Sequence, residues 1–149
     1  MALGHRDGSA RLNLAADSEG SSLLQVLDRE VENSPGSAFV GTEDVRLTRL
    51  DSVLPELDVG SEPIYLKLDT QGSEMHILRS AERTLERSEF VEAELSLVPL
   101  YHRGALFREI IEFLDLHGFD LIGLEGVDEE RDTGHMLQVD GIFLRRAAR

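Results

Sequence analysis

The sequence predicts an α/β fold, with parallel strands and an antiparallel pair of strands at the C-terminal end. Three observations carry this. Residues 63–78 read as a short apolar strand, an abrupt acid at Asp69, a tight turn and then a helix. From there onward strand and helix patterns alternate, as in sheets with helical crossovers. Only the turn-rich residues 126–135 separate the last two strands, so those two pair antiparallel.

The elements follow in order. Ala2, Leu3 and Gly4 read as a strand leaving into a turn, with Asp7-Gly8 a strong turn dipeptide. A domain rarely begins one residue before a strand's exit, so further sequence is expected upstream. In residues 10–16, Leu12 and Leu14 alternate with Arg11 and Asn13, a half-exposed strand. After a polar loop, Leu23, Leu24, Val26 and Leu27 predict one or two helical turns. Val45 and Leu47 mark another strand, and residues 50–54 start a short helix.

The central strand covers residues 64–68. Its helix places Met75, Leu78, Ala81 and Leu85 about one turn apart, with Glu82, Arg83, Glu86 and Arg87 on a solvated face. Residues 90–97 alternate again. Val91, Ala93, Leu95 and Leu97 share one face, and Glu92, Glu94 and Ser96 share the other. Phe107, Ile110, Ile111 and Leu114 predict a helix over residues 105–117, with Gly118 at its left-handed cap. Residues 119–124 and 137–144 are the closing strands, and residues 145–149 a basic tail expected to fray.

The chain has 149 residues, one ordinary domain. No apolar run approaches the ~20 residues of a membrane span, and no signal-peptide core follows Met1. Twenty-nine acids against 15 bases give a net charge of -14, which repels nucleic acid over most of the surface. Cysteine is absent. That excludes disulfides and thiolate metal sites, and it fits a cytoplasmic location. No pair among the five histidines has the spacing of a zinc site.

Asp69 is the most informative residue, because ligands bind at the C-terminal ends of strands in open α/β sheets. Lys67 shares its strand face with Asp69 and Tyr65. A lysine is unexpected in a strand covered on both faces, so it marks either a site or an ion pair at an open edge. Glu94, late in the next strand, projects near the same crevice if the two strands are neighbours. Two carboxylates there could share a proton, hold a divalent cation or act as a base, or Glu94 is simply an exposed acid.

Residues 64–78, with Asp69-Thr70-Gln71-Gly72 at their centre, and residues 92–101 resemble the FkbM-type S-adenosylmethionine-dependent methyltransferases. Residues 106–111, 117–119 and 137–144 match further motifs, and Ala2-Leu3-Gly4 with residues 21–24 looks like the family's middle segment. The resemblance implies a class I methyltransferase (Rossmann-like) sheet. It implies methyl transfer from S-adenosylmethionine to a hydroxyl of a small-molecule acceptor, of sugar or macrolide type. Asp69 and Glu94 match acids of the crevice, and Ala2 and Leu3 lie where the family holds adenine. Lys67 is placed to hold Asp69 ionised or to steady the acceptor oxygen. The family's glycine-rich loop and ribose-binding acid have no counterpart here. Residues 1–149 therefore read as a single domain, the C-terminal two-thirds of a methyltransferase with an incomplete sheet, expected to bind the cofactor poorly alone. The open edge beside residues 64–68 would invite pairing with a second copy. The alternative is a non-catalytic remnant or interaction subunit. No metal is assigned.

Overall fold

A computed structural model describes residues 1–147. The fold is mixed α/β, with seven strands in two sheets among these residues. The smaller sheet contains β1 (Ala2–Leu3), β2 (Gly8–Ala15) and β3 (Phe39–Thr48), in the order β1-β3-β2. β1 runs parallel to β3, and β2 antiparallel to it. The larger sheet contains β4 (Ile64–Leu68), β5 (Ser88–Ser96), β6 (Phe119–Glu129) and β7 (Met136–Arg145), in the order β4-β5-β7-β6.

The antiparallel pairing expected for the last two strands is observed, but the parallel sheet expected around them is replaced by mixed pairing in two sheets. Parallel pairing joins only β1 to β3 and β4 to β5. β7 lies antiparallel to both its neighbours, between β5 and β6. The β6–β7 connection, residues 130–135, is too short for a crossover and permits only an antiparallel return. It is shorter than the sequence suggested because β6 continues through bulges to Glu129. β4 lies at an edge of its sheet, the feature on which the expected self-pairing rests.

Five short helices complete the fold: α1 (Asp28–Asn33), α2 (Leu50–Val53), α3 (Glu74–Leu78), α4 (Glu82–Arg87) and α5 (Phe107–Leu116). One sheet face carries Leu68, Val91, Ala93, Leu95 and Phe143, packed against Met75, Leu78, Leu85, Ile110, Leu114 and Phe119. Ile110 and Leu114 are fully buried, as their spacing required, and Gly118 takes φ +86° after the helix. No helix among the described residues is long and apolar enough to cross a membrane.

Two further expectations change. Residues 23–27 are not helical. Val26 bridges Tyr101 and the Leu27 N–H donates to the Leu100 carbonyl at 2.9 Å, so the end of this stretch is held extended. It buries Val26 in a second core with Leu100, Tyr101 and Leu137, and the helix starts only at Asp28. The basic tail is also docked at its start. The Arg145 guanidinium donates to the Ser88 carbonyl and lies 4.4 Å over the Phe119 ring, while Arg146 pairs with Asp115 and Asp120. Residues 148 and 149 of that tail lie outside the described residues.

Candidate active site

β4 ends at Leu68, and the next five residues form the turn into α3. The turn needs two left-handed residues, Gln71 at φ +52° and Gly72 at φ +89°. Gly72 satisfies this at no steric cost, and a Cβ on it would fall 2.9 Å from Tyr101. Glu74 ties the turn from inside. Its buried Oε1 accepts from the Thr70 N–H at 2.9 Å, the Thr70 hydroxyl at 3.1 Å and the Gly72 N–H at 3.2 Å. Burial pushes the Glu74 carboxyl up from its ordinary range, against the lowering effect of these bonds.

Asp69 stands exposed at the mouth of this turn. Its Oδ1 accepts from the Gln71 side-chain amide at 2.9 Å, and the Gln71 amide oxygen accepts from the Tyr101 hydroxyl at 2.6 Å. Ser22 donates its hydroxyl to the Gln71 carbonyl at 2.6 Å. Gln71 therefore fixes Asp69 to Tyr101 and to the segment before α1. Sequence reasoning missed Gln71, Glu74 and Tyr101. The usable signal was a glutamine directly before a turn glycine, which puts an amide at a strand's C-terminal end.

Ala2 and Leu3 join Asp69 here. With Leu23, Thr70 and Ser73 they line a cavity of about 290 Å³ beside the ends of β1 and β4. Glu94 and Lys67 are not in its wall. Lys67 projects from the strand face onto Glu92, with Nζ to Oε1 at 2.5 Å, and toward Asp140 at 3.7 Å. Tyr65 donates to the same Glu92. The geometry thus gives Lys67 an ion pair on the sheet face, and Asp69 acts on it only through space.

Glu94 faces Asp140 across β7, one step beyond the last β4–β5 pair, Leu68–Ala93. The exposed-acid reading is overturned, since Glu94 is only 6% exposed and its Oε2 has no hydrogen-bond partner. Burial first, then the Asp69 and Glu74 charges, push its pKa up to about 8. At neutral pH it is mostly a neutral acid, which suits proton sharing better than cation binding. Among the described residues no three acids or histidines cluster as a metal site. Glu30, on α1, has the same character. It is buried, with one oxygen unpartnered, and burial with the nearby Asp128 charge pushes it up to about 7.

Residues 1–121 match the methyltransferase FkbM domain. The chain belongs to that family. No curated protein and no solved structure matches it. The FkbM match contains every residue of the Asp69 turn and ends inside β6, so Asp140 and Gln138 on β7 lie beyond it.

The buried acids of this FkbM domain make its stability depend on pH. Between Glu94's ordinary value of 4.5 and about 8, the folded chain holds a proton that the unfolded chain has lost. That contribution is complete below pH 4.5 and is lost as pH rises through 8. Melting temperature is therefore expected to fall from pH 5 to pH 8, by the equivalent of a few kcal/mol. Glu94→Gln should flatten the upper part, leaving the slope that Glu30 contributes up to about pH 7. An undiminished slope in Glu94→Gln would mean that Glu94 is ionised in the folded chain.

Proposed function

We propose that this FkbM domain transfers a methyl group from S-adenosylmethionine to a hydroxyl of a small-molecule acceptor. One observation carries the reading: Ala2, Leu3 and Asp69, distant in sequence, line one cavity at the ends of their strands. The sulfonium donor supplies an activated methyl group. As the oxygen–carbon bond formed and the donor's sulfur–carbon bond broke, releasing S-adenosylhomocysteine, the acceptor hydroxyl would give its proton to the Asp69 carboxylate, which would pass it to solvent. Gln71 orients that carboxylate. Glu94 senses the Asp69 charge through space, which helps to keep its own proton on.

The cavity fits the donor in part. Leu3, Leu12 and Leu23 offer an apolar wall suited to adenine. Among the described residues no glycine lines it and Asp69 is its one acid, so the ribose and methionine ends lack the backbone cradle and the acid that nucleotide cofactors use. This supports weak donor binding by the 149-residue chain and is the observation that favours the second reading, an interaction subunit.

Two measurements test the proposal. Calorimetric titration with S-adenosylmethionine is expected to give millimolar affinity, and micromolar affinity would show that the strand ends hold the donor unaided. Turnover is read as S-adenosylhomocysteine released at millimolar donor with a panel of polyhydroxylated acceptors. Release above the acceptor-free rate is expected. None from any acceptor would overturn the enzyme reading in favour of the interaction subunit.

A further inference from the structure

A second cavity, of about 260 Å³, lies behind the Asp69 turn. Gly72, His76, Arg79, Arg103, Gly104 and Glu109 contribute to its wall. Its charge runs against the rest of the molecule. In a chain with 29 acids and 15 bases, two arginines and an imidazole converge on one small space. Elsewhere some arginines pair with acids, as at Arg29–Glu130 and Arg49–Asp7. Among the described residues, no carboxylate lies within 4.0 Å of Arg79 or Arg103, and neither guanidinium makes a hydrogen bond. The one acid in the wall is engaged elsewhere, since Glu109 Oε2 accepts the Leu106 N–H at 2.9 Å and caps α5.

Positive charge crowds the His76 imidazole. His76 stands 5.5 Å from His5, ring to ring, and burial, then His5, then Arg79 hold its pKa below the ordinary range. An anion in the cavity would relieve this repulsion. Arg103 also takes φ +63°, a left-handed conformation unfavourable for a residue with a Cβ. Such strain persists where the surroundings over-determine it, often at ligand clamps. Gly72 and Gly104 both pack on Tyr101, which anchors the cavity to the Gln71–Asp69 network.

We propose that Arg79, Arg103 and His76 form an anion site for the phosphoryl group of a small molecule, and that this molecule is the acceptor. Guanidinium forks match the geometry of phosphate oxygens, and two of them can hold one group from two sides. Gly72 in the wall is three residues from Asp69, so this cavity and the Asp69 cavity share one turn. The link to the acceptor rests on the methyltransferase reading. The anion site itself does not.

The test therefore uses inorganic pyrophosphate, with neither donor nor acceptor present. The 149-residue chain is titrated at low ionic strength by calorimetry, while the His76 imidazole proton is followed by NMR. Millimolar or tighter binding is expected, with a His76 shift toward the protonated form. Arg79→Gln and Arg103→Gln should each weaken it about tenfold. Arg11→Gln, at an exposed arginine paired with Asp44 on another sheet, should not. Succinate should bind more weakly than pyrophosphate. No pyrophosphate binding, equal binding by all variants, or succinate binding as tightly would overturn the proposal. Pyrophosphate binding, with no methyl transfer to any phosphorylated acceptor in a separate turnover assay, would leave the site standing and sink only its assignment to the acceptor.

Discussion

Asp69→Asn should lower the rate of methyl transfer by about 10²–10⁴-fold, the usual contribution of a general base. The substitution keeps the shape of the side chain and an oxygen that can accept the Gln71 amide, now at 2.9 Å from Oδ1. It removes the group proposed to take the acceptor's proton. Asp69 is exposed, so stability should move by no more than about 0.5 kcal/mol. The measurement is the initial rate at saturating donor, set beside the melting temperature of the same preparation. A normal rate would reduce Asp69 to an anchor for Gln71. A chain that no longer folds would make its role structural. Glu94→Gln should cost less, because a glutamine resembles the neutral acid that Glu94 mostly is at pH 7.

The largest loss of stability is expected at Asp51. α4 begins after Ala81, a fully buried residue whose side chain cannot cap a helix. Asp51, on α2, caps it from outside. Its Oδ2 accepts the Arg83 N–H at 2.9 Å, and its Oδ1 accepts the Thr84 N–H at 2.9 Å and the Thr84 hydroxyl at 2.7 Å. Burial raises the Asp51 carboxyl, but these bonds outweigh it and leave its pKa below the ordinary range. Asp51→Ala would strand two donors of Thr84, which is 1% exposed. Unsatisfied buried groups cost about 1–3 kcal/mol each, so the loss should reach about 3–4 kcal/mol. That is a large part of a typical domain's 5–15 kcal/mol. Urea denaturation checks it, and a loss below about 1 kcal/mol would mean that water replaces the cap. Asp51→Asn, which keeps one acceptor, should fall between.

The contrast between Asp51 and Asp69 shows what could be read from the chain directly. Asp69 was legible because an acid ends an apolar run and a turn follows it, all within a few residues. Asp51 sits in a sequence that looks like the start of a short helix, and its partners lie 32 and 33 residues away. Nothing local connects them. Glu94 falls between these cases. Alternation placed it correctly on the face opposite Val91 and Ala93. Its burial followed from β7 inserting beside β5, which alternation cannot announce.

The sequence by itself determined the order of the main elements, the core face of α5, the Asp69 turn and the family. The first three depend on residues close together, where periodicity, turn chemistry and spacing act directly, and the family on motifs spaced along the chain. Tertiary structure alone decided that β7 inserts between β5 and β6, that residues 23–27 are not helical, and that Lys67 turns to Glu92. It also decided that Ala2 and Leu3 meet Asp69 in one cavity, and that Arg79 and Arg103 face another. The reason is physical. A side chain's burial, charge partners and cavity are set by segments far away in the chain, and those appear only once the strands have paired.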